Sequence, residues 1–167
     1  MESDMPLVRR SKRFFDILVS LVGVLVFLPI GLLVALLLKL SDPRGPVFYS
    51  QTRAGHFGRE FTIRKFRTMV VGAESETGPV WASADDPRVT RLGRVLRQWR
   101  IDEIPQFWNI LKGDMSFVGP RPERPEFVRE IENTVQYFGF RHLVRPGITG
   151  FAQIRYRYGS SIEDARE

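Results

Sequence analysis

Hydrophobic and polar positions divide the chain unevenly. From Ile17 to Leu38 twenty-two residues, ILVSLVGVLVFLPIGLLVALLL, carry no charge. As a helix rising ~1.5 Å per residue the run would extend about 33 Å, enough to cross a bilayer core of roughly 30 Å. Pro29 lies in its middle, after Leu28, with Gly23 before and Gly31 beyond. Proline removes a backbone hydrogen bond and crowds the preceding turn, so a bend is expected at Leu28–Pro29. Basic residues flank both ends: Arg9, Arg10, Lys12 and Arg13 before, Lys39, Arg44 and Arg53 after. Positive flanks favour the cytoplasmic side. A helix that dips in and returns satisfies both flanks, whereas an ordinary kinked transmembrane helix satisfies one; the residues leave both open. A cleaved signal peptide would be shorter in its apolar part and end in small residues, which Leu37-Leu38-Lys39-Leu40 does not.

Beyond the run the pattern is that of a mixed domain. SDPRG at Ser41–Gly45 is a turn, Val47–Gln51 a short strand, Arg53–Gly58 a loop, and Phe61–Met69 (FTIRKFRTM) an extended segment. On a strand Lys65 and Arg67 would share a face, where they could hold an anion or guard a solvated edge. Ala73–Asp86 reads as a mobile loop docked by Trp81. Arg88–Arg100 predicts a basic amphipathic helix with Val89, Leu92, Leu96 and Trp99 on its apolar stripe. A second helix is expected over Asp102–Lys112, stopped by Gly113, and a third over Glu126–Arg141. Arg145–Gly150 reads as a turn and Phe151–Tyr158 as a strand.

Composition narrows the chemistry. There is no cysteine, which excludes thiolate catalysis and cysteine-ligated metals, and the two histidines, His56 and His142, stand far apart. The net charge of +6 suits a polyanionic partner. Beside a membrane run, lipid head groups and phosphorylated small molecules lead, and nucleic acid is not expected. The one hint of it is Tyr156 and Tyr158 interleaved with Arg155 and Arg157, which a strand face explains as well.

The candidate chemistry lies in RIDEIPQFWNILKGDMS. Asp102 and Glu103 stand at a predicted helix start, where acids are also favoured simply as caps. Arg97 and Arg100 precede them and Arg121 follows. Cations nearby keep a carboxylate ionised, and an ionised carboxylate can attack phosphorus. A second can hold Mg²⁺ together with phosphate oxygens. Arg121 is framed by Pro120 and Pro122, which stiffen the backbone that would present its guanidinium to a phosphate. A plain structural turn remains the other reading.

Three stretches, KFRTM at Lys65–Met69, DEIPQFWNILKGDMSFVGPRP at Asp102–Pro122 and RPGITGFAQ at Arg145–Gln153, resemble the bacterial sugar transferase family, the monotopic phosphoglycosyl transferases. The resemblance covers the chain from Lys12 onward. It implies transfer of a sugar-1-phosphate from a UDP-sugar to undecaprenyl phosphate with release of UMP, the step that initiates exopolysaccharide or O-antigen assembly. It makes Asp102 the nucleophile of a covalent phosphosugar intermediate and Glu103, with Asp102, the Mg²⁺ site. Lys65, Arg97 and Arg121 become phosphate-binding, joined by Arg67 on the strength of the strand face it would share with Lys65, and Pro120–Pro122 shape the nucleotide pocket. The segment around Leu28 and Pro29 becomes a re-entrant bend. Many relatives have serine where Leu28 stands, so a side-chain hydrogen bond at the bend is missing here.

The implied fold is α+β and mainly helical: a basic segment (1–13), a re-entrant, proline-kinked membrane helix (14–40), and a compact membrane-surface catalytic domain with a few short strands (41–153). A C-terminal segment (154–167) is expected to be cut short relative to the family. The implied location is the bacterial inner membrane, with the catalytic domain on its cytoplasmic face. A homo-oligomer is compatible with this reading. The alternative function is a non-enzymatic membrane scaffold or anion-binding module.

Overall fold

The computed structural model describes residues 6–75, 77–81, 83 and 85–155. Its first element, α1 (Pro6–Ser41), is one helix of 36 residues that carries the basic flank and the apolar run together and passes through Leu28 and Pro29 without interruption. Its most apolar 18-residue window has a mean hydropathy of 3.0, yet only 17% of that window is buried by the rest of the chain. A core helix of a soluble protein would be covered. Here Leu25 is 71% and Leu32 64% exposed, as suits a membrane-associated helix. The opposite stripe, Asp16, Ser20, Gly23, Val34 and Leu38, is buried against the folded domain.

The domain begins with an antiparallel hairpin, β1 (Phe48–Ala54) and β2 (Glu60–Phe66), paired from Phe48↔Phe66 to Ala54↔Glu60. The first strand is longer than its apolar signature. Arg53 and Ala54, read from sequence as loop, extend it because Ala54 N–H also finds the Glu123 carbonyl at 2.8 Å. Next comes α2 (Arg91–Gln98), shorter than the predicted 88–100 because Thr90 caps it, its side chain accepting the Gly93 N–H at 2.9 Å. Leu96 is buried as expected, whereas Trp99 lies beyond the helix and is 71% exposed.

The predicted helix 102–112 is two pieces: a 3₁₀ segment, Ile101–Gln106, containing Pro105, and then α3 (Phe107–Lys112). Gly113 ends α3 at φ 94°, a left-handed conformation suited to glycine. β3 (Ser116–Val118) and β4 (Gly147–Thr149) form a parallel pair, with β4 inside the segment read as a turn. Between them, α4 (Pro125–Glu132) stops well short of Arg141, and a separate 3₁₀ segment covers Phe138–Leu143. The final element, α5 (Phe151–Arg155), is a helix where a strand was expected; Tyr156, Arg157 and Tyr158 lie outside the described residues. Trp81, expected to dock the segment read as a loop, does pack on Phe127, the ring centroids 4.3 Å apart.

One apolar cluster includes residues of α1, and a second meets α1 through Phe107, whose ring stacks with that of Phe27 at 6.1 Å. Val34 and Leu38 pack with Phe66 and Leu96, while Ile63, Ile110 and Met115 pack beside Phe107 and Phe117. The acid pair is flanked by Ile101 and Ile104, which pack against the first of these clusters.

Candidate active site

Asp102 and Glu103 are neighbours on a buried 3₁₀ turn, 7% and 5% exposed. Arg100 enters the turn at φ 53°, and no side chain caps it. Helix capping therefore does not account for the acids.

Their surroundings differ. One oxygen of Glu103, Oε1, accepts from Lys65 Nζ at 2.9 Å and from the Arg121 guanidinium at 3.2 Å. Burial alone would raise its pKa, but the charges of Lys65 and Arg121 and the hydrogen bond from Lys65 outweigh that and hold it at about 2. Its other oxygen, Oε2, is buried with no hydrogen-bond partner among the described residues. Asp102 makes no side-chain hydrogen bond or ion pair among the described residues. Burial pushes its carboxyl above the ordinary carboxylate range, with Lys65, Arg97 and Arg121 opposing and Glu103 adding to the rise. One carboxylate is thus pinned and firmly ionised, while its neighbour is unattached and more basic. Such a division suits a fixed ligand beside a nucleophile.

Each cation has a structural reason for its position. Lys65 is carried by β2, and burial lowers its pKa against the pull of Glu103. Arg121 sits on a loop held on several sides. Gly119 N–H donates to the Thr149 carbonyl, Gly147 N–H to the Pro120 carbonyl, Arg141 to the Arg121 carbonyl and Arg53 to the Pro122 carbonyl, all at 2.9–3.2 Å. The prolines supply stiffness that sequence revealed; these bonds supply an anchorage it did not. Arg97 projects from α2, its Nε donating to Thr68 Oγ1 at 2.9 Å.

Lys65, Arg97, Arg121 and both acids are thus brought together, with Pro120 and Pro122 framing Arg121. Arg67 is not part of the group. β2 ends at Phe66, the strand alternation ends with it, and the Arg67 guanidinium turns to the Asp42 carboxylate after α1. The expectation that Lys65 and Arg67 act from one face is corrected accordingly. Leu28 and Pro29 lie apart on α1, Leu28 53% exposed.

Sequence reading missed Gln106, which is 2% exposed and leaves its amide nitrogen without a hydrogen-bond partner among the described residues. It lines a small cavity with Arg53, Lys65, Arg121 and Pro122. Its spacing of four from Asp102 was the available signal.

Among the described residues no cluster of three or more acidic, histidine or cysteine side chains could hold a metal by itself. The unpartnered Glu103 Oε2 and the unattached Asp102 do fit Mg²⁺, which is commonly held by one or two carboxylates together with substrate phosphates and water.

The family model for bacterial sugar transferases matches residues 7–167. A UDP-N-acetylgalactosamine-undecaprenyl-phosphate N-acetylgalactosaminephosphotransferase of Aeromonas hydrophila is 45% identical over 161 residues, covering 96% of this chain and 38% of the relative. A putative undecaprenyl-phosphate N-acetylgalactosaminyl 1-phosphate transferase of Bacillus subtilis is 46% identical over 127 residues, covering 76% of this chain and 70% of the relative. A UDP-glucose:undecaprenyl-phosphate glucose-1-phosphate transferase of Escherichia coli is 42% identical over 146 residues, covering 87% of this chain and 31% of the relative. The chain thus spans about a third of the Aeromonas and Escherichia proteins and most of the Bacillus one. With the model matched along nearly its whole length, the chain belongs to the bacterial sugar transferase family.

Proposed function

We propose that the protein is a phosphoglycosyl transferase that moves a hexose-1-phosphate from a UDP-sugar to undecaprenyl phosphate in two displacements. In the first, an Asp102 oxygen attacks the phosphorus that bears the sugar. A bond from Asp102 to phosphorus forms, the bond from that phosphorus to the UMP oxygen breaks, and UMP leaves with the electron pair. In the second, an oxygen of the lipid phosphate attacks the same phosphorus, and the Asp102 carboxylate is released. The observation that carries this reading is the contrast within the acid pair, where Glu103 is bonded directly by two cations and Asp102, among the described residues, by none.

Lys65 and Arg121 face the acids and would take up charge on the phosphate oxygens as it shifts toward UMP. The rigid mounting of Arg121 limits the ordering cost of that grip. Glu103 Oε2 and Asp102 would hold Mg²⁺, which when bound supplies Lewis-acid neutralisation of the diphosphate. Burial keeps the site poor in water and so protects an acyl phosphate on Asp102 from hydrolysis.

The proposal includes placement. The apolar run enters the inner membrane from its cytoplasmic face and returns, bending near Leu28 and Pro29, with the domain on that face. The two basic flanks of the run and the uncovered outer face of α1 support this.

The test is to incubate the membrane-reconstituted protein with Mg²⁺ and a panel of UDP-hexoses without lipid acceptor. The expected result is UMP release matched by a phosphohexose adduct on Asp102, located by mass spectrometry and absent from Asp102→Asn. UMP release with no adduct, or an adduct on another side chain, overturns the double displacement.

A further inference from the structure

A second cavity shares no lining residue with the small cavity at Gln106, Lys65 and Arg121. It lies where the first turns of α1 meet the His56–Gly58 turn, β3 and the segment leading into β4, and its walls include Arg9, Lys12, Arg13, Phe57, Leu143 and Arg145. Four cations face it together with one acid, Asp16. That acid is 2% exposed, and its Oδ1 is taken by Ser116 Oγ at 3.0 Å and the Phe117 N–H at 2.9 Å. Lys12 is engaged by Ser116 Oγ and the Val118 carbonyl, and Arg13 by the Ile110 and Leu111 carbonyls at the end of α3. Arg9 and Arg145 remain. Neither has an ion pair or side-chain hydrogen bond to any described residue, although Arg145 is half-buried.

Position and lining narrow the ligand. Arg9, Lys12 and Arg13 precede Ile17 by four to eight residues, on the order of 10 Å along a helix. Once the uncharged run is in hydrocarbon, the groove stands at head-group depth, where anionic lipids concentrate. Beside the guanidiniums lie Phe57 and Leu143, 65% and 58% exposed. Cation next to uncovered hydrocarbon suits a phosphate esterified to acyl chains better than a free phosphate ion.

We propose that this groove seats the head group of an anionic phospholipid of the surrounding bilayer, its phosphate held between Arg9 and Arg145 and its glycerol and upper acyl carbons against Phe57 and Leu143. The inference rests on the membrane reading of α1 and does not depend on the transfer chemistry. The seat would fix the depth and tilt of α1, and with it the domain that α1 clamps through Asp16.

The experiment purifies the protein from nanodiscs of phosphatidylcholine doped with phosphatidylglycerol and counts retained lipids by native mass spectrometry. The expected result is about one phosphatidylglycerol retained per chain, reduced about tenfold, the order of one lost charge-assisted contact, in the double variant Arg9→Gln/Arg145→Met. Arg9→Gln alone, on an exposed first turn, is expected to show a smaller loss in the same direction. Arg94→Ala/Arg129→Ala, which removes two exposed arginines elsewhere, is expected to retain the lipid. Equal retention by the groove variant, equal loss by the control, or equal retention of phosphatidylcholine overturns the site. Retention of polyprenyl phosphate alone also overturns it, as does inorganic phosphate protecting wild type against heat with no lipid retained. A wild-type chain that fails to float with liposomes overturns the membrane reading and the groove together. One that floats but retains no anionic lipid overturns the groove alone, and Asp102 labelling on the same preparation reports the transfer chemistry separately.

Discussion

Lys65 Nζ lies 2.9 Å from Glu103 Oε1, with both side chains largely shielded from water. The pair therefore does more than an exposed ion pair of the same length. It fixes the conformation of Glu103 and places a positive charge beside Asp102, whose carboxyl burial would otherwise push still higher. Lys65→Ala is expected to move the acid limb of the pH–rate profile for adduct formation to higher pH and to slow that step by about two orders of magnitude. Arg121 still holds the same Glu103 oxygen, so the stability cost should be only about 1–3 kcal/mol. Single-turnover UMP release against pH, with a melting curve at each pH, checks both.

The two acids should have opposite effects on folding. Glu103 is held at about 2 against a reference of 4.5. Its folded-state pKa is depressed, so its stabilisation is present above the unfolded value and lost as pH falls from about 4.5 through about 2. A shift of that size is worth about 3 kcal/mol. Glu103→Gln should remove most of this acid-side loss, while leaving the protein less stable than wild type at pH 7. Denaturant titrations at several pH values would show it; a steep loss unchanged by the substitution counts against the assignment.

Asp102 runs the other way. Its folded pKa is raised, so the buried charge opposes folding above that pKa and is harmless below the unfolded value. Asp102→Asn should therefore gain stability at pH 7, about 0.5–2 kcal/mol, while losing adduct formation altogether. An inactive variant that melted lower than wild type would point to a structural role for this carboxylate.

Much of this arrangement could be read from the chain. The uncharged run gives α1, adjacent acids near arginines give the reactive turn, and prolines on either side give Arg121 its rigidity. What escaped was set by contacts distant in sequence. Arg67 looked equivalent to Lys65 because strand alternation was extended past Phe66; its N–H bonds the Val47 carbonyl at 2.9 Å, and its side chain then meets Asp42. β3 and β4 are three residues each, too short for periodicity, and exist because they pair with each other. Residues Phe151–Arg155 alternate in a way that imitates a strand, yet fold as a helical turn.

Gly93 shows how a distant close approach sets the site. A β-carbon at this position would collide with the Thr68 backbone carbonyl. The α2 backbone rests directly on the exit of β2, and the same residue, Thr68, receives Arg97 Nε. Gly93→Ala should force the helix away, costing about 1–3 kcal/mol, and weaken adduct formation through Arg97. Thr68→Val, which removes only the hydroxyl, should lower activity with a much smaller change in melting temperature. Comparing the two separates displacement of the helix from loss of the hydrogen bond.

Asp16 and Ser20 are one helical turn apart on α1, 2% and 0% exposed, and should respond to alanine with opposite signs. Asp16 is the one acidic residue of α1, and it satisfies Ser116 Oγ and the Phe117 N–H on a strand a hundred positions away. Removing it strands the buried Ser116 hydroxyl and the Phe117 N–H and deletes the Lys12–Asp16 ion pair at 3.9 Å, so Asp16→Ala should cost about 2–4 kcal/mol. It should also loosen α1 from β3, the strand that leads directly into Gly119–Arg121. Ser20 Oγ is buried with no hydrogen-bond partner among the described residues. Ser20→Ala removes an unsatisfied polar atom at little loss of volume and should be neutral or stabilising by up to about 1 kcal/mol. Thermal unfolding of both variants in the same nanodiscs, with limited proteolysis between Ser41 and Phe48, tests the contrast. Equal destabilisation would mean that packing of this helix face, not the Asp16 clamp, holds the membrane element to the domain.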